Sequence, residues 1–173
     1  MLRTEILSRA CVKEYLLSHN EAAASLARQK PGELEELLAI ADGSIGRALE
    51  LCDEKERAPL LKRRQLSSEL VENSLRKDYP ALVRLTVALP RKRDEILPIL
   101  NGAQSALRDL ISLKSANNPP LVFYTDRDAA SELAFSHSTA TLCALSDKLS
   151  LAIEHISRNA NIHLTLVTLL SKL

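Results

Sequence analysis

The chain has 173 residues, enough for one ordinary domain or two small helical ones, and too few for a multidomain enzyme. Its 23 basic and 22 acidic side chains give a net charge of +1, so no overall field attracts polyanions. With 34 Leu and 21 Ala against 15 Val plus Ile, 5 aromatics and 4 Gly, strand builders and turn glycines are both scarce, and the composition reads as all-α.

A first helix is expected around Ser8 to Ser18 and a second after Asn20, whose side chain can cap the N–H groups that open a helix. Lys30-Pro31-Gly32 should stop it near Gln29. In Glu33 to Ala41, Leu34, Leu37, Leu38 and Ala41 share one face, which predicts an amphipathic helix closed by Asp42-Gly43. Ser44 then caps a helix through Ile45, Ala48, Leu49 and Cys52.

Charge shifts along the chain. Residues 1–56 hold 7 basic and 11 acidic groups, residues 57–100 hold 10 and 5, and residues 101–173 hold 6 and 6. The change near Asp53 to Pro59 suggests a small helical unit over 1–56 and a larger helical one over 57–173.

The second part should begin with a helix from Pro59 to Lys77 and a short one after Asp78 and Pro80, ended by Pro90. Asp94 is the expected cap of a long helix to Lys114, with Pro98 early enough to be tolerated. Asn117-Asn118-Pro119-Pro120 is a loop, and Leu121-Val122-Phe123-Tyr124, though strand-like in composition, also reads as loop because a lone strand has no partner. Asp126 or Asp128 can start a short helix, Ser138 a long one, and a last helix follows Asn159-Ala160-Asn161. That last helix carries Ile162, Leu166, Val167, Leu169, Leu170 and Leu173 over a wide apolar arc, and so reads as buried between neighbours or in a subunit contact.

Catalytic constellations do not assemble. His19, His137, His155 and His163 are scattered, and His155 and His163 lie eight apart across a helix break, unlike a zinc helix. Cys11, Cys52 and Cys143 show no C-x-x-C spacing, which excludes a disulfide framework and points to a reducing compartment. Four glycines cannot build a phosphate loop, so no metal or nucleotide cofactor is expected. The carboxylates Glu33, Glu35, Glu36, Asp53 and Glu54 read as solvated helix faces and termini. Lys62-Arg63-Arg64 and Arg91-Lys92-Arg93 lack the interleaved aromatics of a base-stacking surface and read as solvated or subunit-facing. No apolar run approaches a membrane span and the first ten residues lack a signal peptide's apolar centre, so a cytoplasmic location is expected.

Two segments place an arginine at a helix start, Ile6-Leu7-Ser8-Arg9-Ala10 and Gly43-Ser44-Ile45-Gly46-Arg47-Ala48-Leu49. On spacing alone these are surface arginines, although a guanidinium there suits phosphate recognition. Together with Asn159-Ala160-Asn161-Ile162-His163-Leu164 and Leu169-Leu170, they carry a resemblance. In their order along the whole chain they are similar to the C-terminal part of the delta-prime subunit family of the bacterial DNA polymerase III clamp loader.

The resemblance implies a helical AAA+ lid over about residues 12–56, then a helical collar over about 60–173 through which clamp-loader subunits form a ring. It also implies a nucleotide-fold domain ahead of Ser8. Ser8 and Arg9 would match the arginine-finger motif that senses a neighbour's ATP, with Ala10 standing where the family has Cys. Arg47 would match the lid sensor arginine. Ile162, Leu166, Leu169, Leu170 and Leu173 would serve the subunit interface. The implied partners are the gamma/tau and delta subunits, with the sliding clamp and primed DNA reached only through the complex, and the chain itself would be no enzyme. A gamma/tau collar or an unrelated all-α adaptor remains the alternative.

Overall fold

The computed structural model describes residues 7–171. Among the described residues all regular structure is helical, in ten helices without a strand. The chain divides into two compact units that meet in sequence at Lys62 and Arg63, within a helix rather than at the compositional shift between residues 53 and 59.

The first unit contains α1 (Arg9–His19), α2 (Glu21–Gln29), α3 (Pro31–Ala41), α4 (Ile45–Glu50) and the start of α5 (Glu54–Arg76). Local chemistry sets most of these boundaries. Asn20 Oδ1 accepts the Ala23 N–H at 2.9 Å, and Ser44 Oγ accepts that of Arg47 at 3.3 Å, each satisfying a donor that the helix start leaves orphaned. Helix α3 begins at Pro31, ahead of the expected Glu33. Proline lacks only an N–H that a first turn does not use, and its fixed φ suits that position. The turn after α3 places both Asp42 (φ 46°) and Gly43 (φ 79°) in the left-handed region, so the cap itself is Asp42.

Val12, Leu16, Leu34, Leu37, Leu38 and Leu51 form the centre of the first core. Arg57, nearly fully buried, closes its edge. Its Nη1 donates to the carbonyls of Leu51 and Cys52, both at 3.1 Å, where α4 has ended and its carbonyls lack helical partners. Its Nε lies 3.4 Å from Glu33 Oε2, and Lys30 Nζ is 2.7 Å from the same carboxylate's other oxygen. Those cations, Lys30 first, hold the Glu33 carboxyl below its ordinary range. Helix α5 starts at Glu54, earlier than the expected Pro59, because the Asp53 side chain accepts the Lys55 N–H at 3.0 Å; Pro59 sits inside the helix.

The second unit continues α5 and adds α6 (Tyr79–Ala88), α7 (Arg93–Ser115), α8 (Arg127–Phe135), α9 (Thr139–Ser157) and α10 (Ile162–Ser171). Helix α7 is central, burying Ile96, Ile99, Leu100, Ala103, Leu107 and Leu110 while packing against α8 and α9. Asp78, Asp126, Ser138 and Asn161 cap the other helices of this unit with their side chains. The expected cap at Asp94 is not found: Lys92 occupies the N-cap position of α7 without a side-chain bond. Asp94 and Glu95 lie in the first turn, facing the positive end of the helix dipole. Cations serve the opposite ends, Arg93 Nε donating to Ile156 O of α9 at 2.9 Å and Lys114 Nζ to His137 O, beyond α8, at 2.7 Å. The segment 121–124 runs as a loop, with Phe123 buried.

Candidate functional site

In the first unit, Ser8 is the cap of α1: its Oγ accepts the Cys11 N–H at 3.3 Å and lies 3.1 Å from Cys11 Sγ. Arg9 opens α1 as an exposed residue, and Ile6 lies outside the described residues. Arg47 sits on α4, its side chain exposed and its Nη1 2.9 Å from Glu50 Oε2, one turn along the helix. Helices α1 and α4 pack against each other, so the two arginine-bearing segments share one small bundle.

In the second unit the α10 leucines divide. Leu166 and Leu169 are 3% and 5% exposed and belong to the core; Ile162 and Leu170 are half-buried against it; Leu173 lies outside the described residues. Leu166 and Leu169 thus lie mainly on the face that α6 and α9 cover. The apolar side chains that α10 does present are Leu164 and Val167, neither of which the resemblance assigns to the interface.

They do not stand alone. On α6, Tyr79, Val83 and Val87 recur every fourth residue, and the two valines are 65% and 77% exposed. Between this stripe and α10 lies a groove of about 330 Å³ lined by Leu82, Thr86, His163, Val167 and Leu170 besides the stripe itself. Across α10 a second groove of about 320 Å³ runs along α9, lined by Leu151, Ala152, His155, Leu164 and Leu169 among others. Helix α10 is thus a ridge between two shallow, largely apolar grooves. Spacing of four on α6 was legible, but only the packing shows that this side of the helix faces outward.

A third concavity, about 490 Å³, is polar, with Glu72, Arg76, Tyr124, Glu132 and His137 in its lining. Glu72 accepts a hydrogen bond from Ser68 Oγ at 2.8 Å and lies 3.6 Å from Arg76, so its charge is already engaged on its own helix. Burial pushes the Tyr124 phenol well above its ordinary range, leaving it a protonated donor at any physiological pH. Neither the protonated phenol nor the ion-paired Glu72 is poised there as a nucleophile.

The buried Asp109 of α7 holds a loop in place, its carboxylate accepting the N–H groups of Val122, Phe123 and Tyr124. Among the described residues no three His, Cys, Asp or Glu side chains gather as metal ligands would, and no helix is long and apolar enough to cross a membrane. No protein-family model, no curated protein and no solved structure matches the chain.

Proposed function

We propose that the chain acts by joining other proteins and not by chemistry of its own: it is an assembly subunit of the bacterial DNA polymerase III clamp loader, of the delta-prime kind. Its first unit would be the AAA+ lid and its second the collar segment of the ring. The gamma/tau and delta subunits would be its neighbours, and the sliding clamp and primed DNA would be reached only through the assembled complex.

The observation that carries this reading is the outward apolar face of α6 and α10, which keeps Tyr79, Val83, Val87, Leu164 and Val167 in water on a helical unit whose own core is complete without them. A small helical bundle followed by a larger one supports it, as does the exposed Arg47 within the segment that carries the resemblance. In such a subunit Arg47 would reach a nucleotide only after leaving Glu50, and an exposed pair of this kind costs about 0.2–1 kcal/mol to separate.

Mixing the purified chain with gamma/tau and delta subunits and following the mixture by sedimentation velocity tests the proposal. The chain should move with them in one complex, and Val167→Asp should release it. Sedimentation of the chain at its own rate in every mixture overturns the assignment.

A further inference from the structure

The α6–α10 groove has a property that ring assembly does not require: it is an apolar surface in a basic frame. Within Tyr79–Ala88 and Ile162–Ser171 the only formally charged residue is Arg84, which is exposed and, by helical spacing, neighbours Val87. Exposed Arg76, 3.6 Å from Glu72 on α5, and exposed Lys77 precede α6, and exposed Arg91 and Lys92 follow it. Residues 76–93 hold six basic side chains and one acid, Asp78, whose carboxylate accepts the Ala81 N–H at 2.9 Å. The acids that come next, Asp94 and Glu95, lie in the first turn of α7, with Lys92 Nζ 3.5 Å from Glu95.

The shape selects the form of the occupant. Tyr79, Val83 and Val87 span two turns, about 12 Å at 1.5 Å per residue. The groove walls are helices whose backbone groups are bonded internally, so an extended peptide laid there would find no ladder for its own N–H and C=O groups. A helix satisfies its backbone itself and offers a ridge of apolar side chains to fill a hollow of about 330 Å³.

From this geometry we infer that the α6–α10 groove of the second unit docks an acidic amphipathic helix of a partner protein, with apolar anchors at i, i+4 and i+7 and Asp or Glu on its flanks. The anchors enter between the Tyr79–Val83–Val87 stripe and Val167. The flanking carboxylates meet Arg84 and the basic residues at the two ends of α6. This rests on the second unit's outward face, the same face that the proposed ring contact uses; in a clamp-loader ring the acidic helix would belong to a neighbouring subunit, and outside one to another partner. A lipid surface would also answer to basic and apolar groups together, but it would leave the hollow between α6 and α10 unfilled, which a partner helix does not.

The test is selection of a displayed library of helix-forming peptides, each about 15 residues long to support a stable helix. The full chain is the target, with counter-selection on Val83→Glu. Because Val83 is mostly exposed, that variant should keep the wild-type circular dichroism and melting curve, and Val87→Asn is a second variant of the same surface. Enriched peptides should carry Asp or Glu flanks and the stated apolar spacing, and should lose binding to both variants. They should bind Arg84→Glu about fivefold more weakly, in line with one exposed ion pair, and less tightly as salt rises. Three results overturn the proposal: peptides without acidic enrichment, Val83-dependent binding of the full chain to phosphatidylglycerol vesicles, or a dimer of the chain that Val83→Glu dissolves.

Discussion

Asp109 Oδ2 accepts the Phe123 N–H at 2.7 Å, and the same oxygen takes the N–H groups of Val122 and Tyr124 at 2.9 and 3.1 Å. One buried carboxylate on α7 thus satisfies three consecutive donors of a loop that has no strand to pair with, and the loop in turn delivers the Phe123 ring into the core. The Arg64 guanidinium lies over that ring, 4.5 Å from its centre.

Replacing the carboxylate should therefore undo the loop as well as one contact. Asp109→Ala leaves three backbone donors without an acceptor, at about 1–3 kcal/mol for each that stays buried. Asp109→Asn keeps one acceptor oxygen and should lose less. Urea denaturation followed by circular dichroism checks the order: wild type, then Asn, then Ala. Equal stability of all three would show that the carboxylate does not hold the loop.

Gly102 on α7 lies close against Ser67 of α5. A Cβ there would sit 2.5 Å from Ser67 Oγ and 3.1 Å from Ser67 Cβ, and that hydroxyl is itself held 2.8 Å from the Ile99 carbonyl. Gly102→Ala should destabilise by about 1–3 kcal/mol, although alanine is the better helix former. In the double variant with Ser67→Ala the nearest clash is gone and part of the loss should return. Thermal melts of the four proteins measure the coupling, and strict additivity would exclude the contact as its cause.

These features mark where the sequence stopped being informative. Caps at Asn20, Ser44 and Ser138 were legible because acceptor and donor lie three residues apart, so the spacing itself carries the bond. Asp53 was missed as the start of α5 because Pro59 looks like a first-turn proline, yet it lies inside the helix, where it withholds one backbone donor. The roles of Asp109 and Gly102 depend on partners 13 to 15 residues away or on a separate helix, and no periodicity reports them. In α10 the apolar arc of Ile162, Leu166, Val167, Leu169, Leu170 and Leu173 was too wide to divide by spacing, and Leu164 was left out of it. Only the positions of α6 and α9 decide that Leu166 and Leu169 turn inward while Leu164 and Val167 turn out.

In the first unit, stability should respond to acid through Glu33. Its carboxyl, with Lys30 and Arg57 beside it, titrates below the ordinary glutamate value of 4.5. A depressed folded value stabilises the fold above the unfolded value, and the benefit disappears as pH falls through the folded one. Wild type should therefore lose an increment of stability below about pH 4.5 that Glu33→Gln lacks at every pH. Urea denaturation at a series of pH values from 7 downward measures it, and the gap between the two proteins should narrow as pH falls. A constant difference would mean that the charge is not involved.

The neighbouring residues Leu166 and Val167 separate folding from assembly. Leu166 is buried, so Leu166→Asp places a carboxylate in the apolar core of the second unit, where it must either ionise without a partner or stay protonated at a cost of several kcal/mol. That variant should melt at a much lower temperature or fail to fold. Val167 is one residue on and 43% exposed, and Val167→Asp leaves the new charge in water. Its melting temperature should stay within a few degrees of wild type, in line with about 0.5 kcal/mol for a surface change. Binding through the outward face should nevertheless be lost, because association would then bury that charge. Paired melting curves and sedimentation with the partner subunits make the comparison, and a Val167→Asp protein that binds like wild type would remove α10 from the interface.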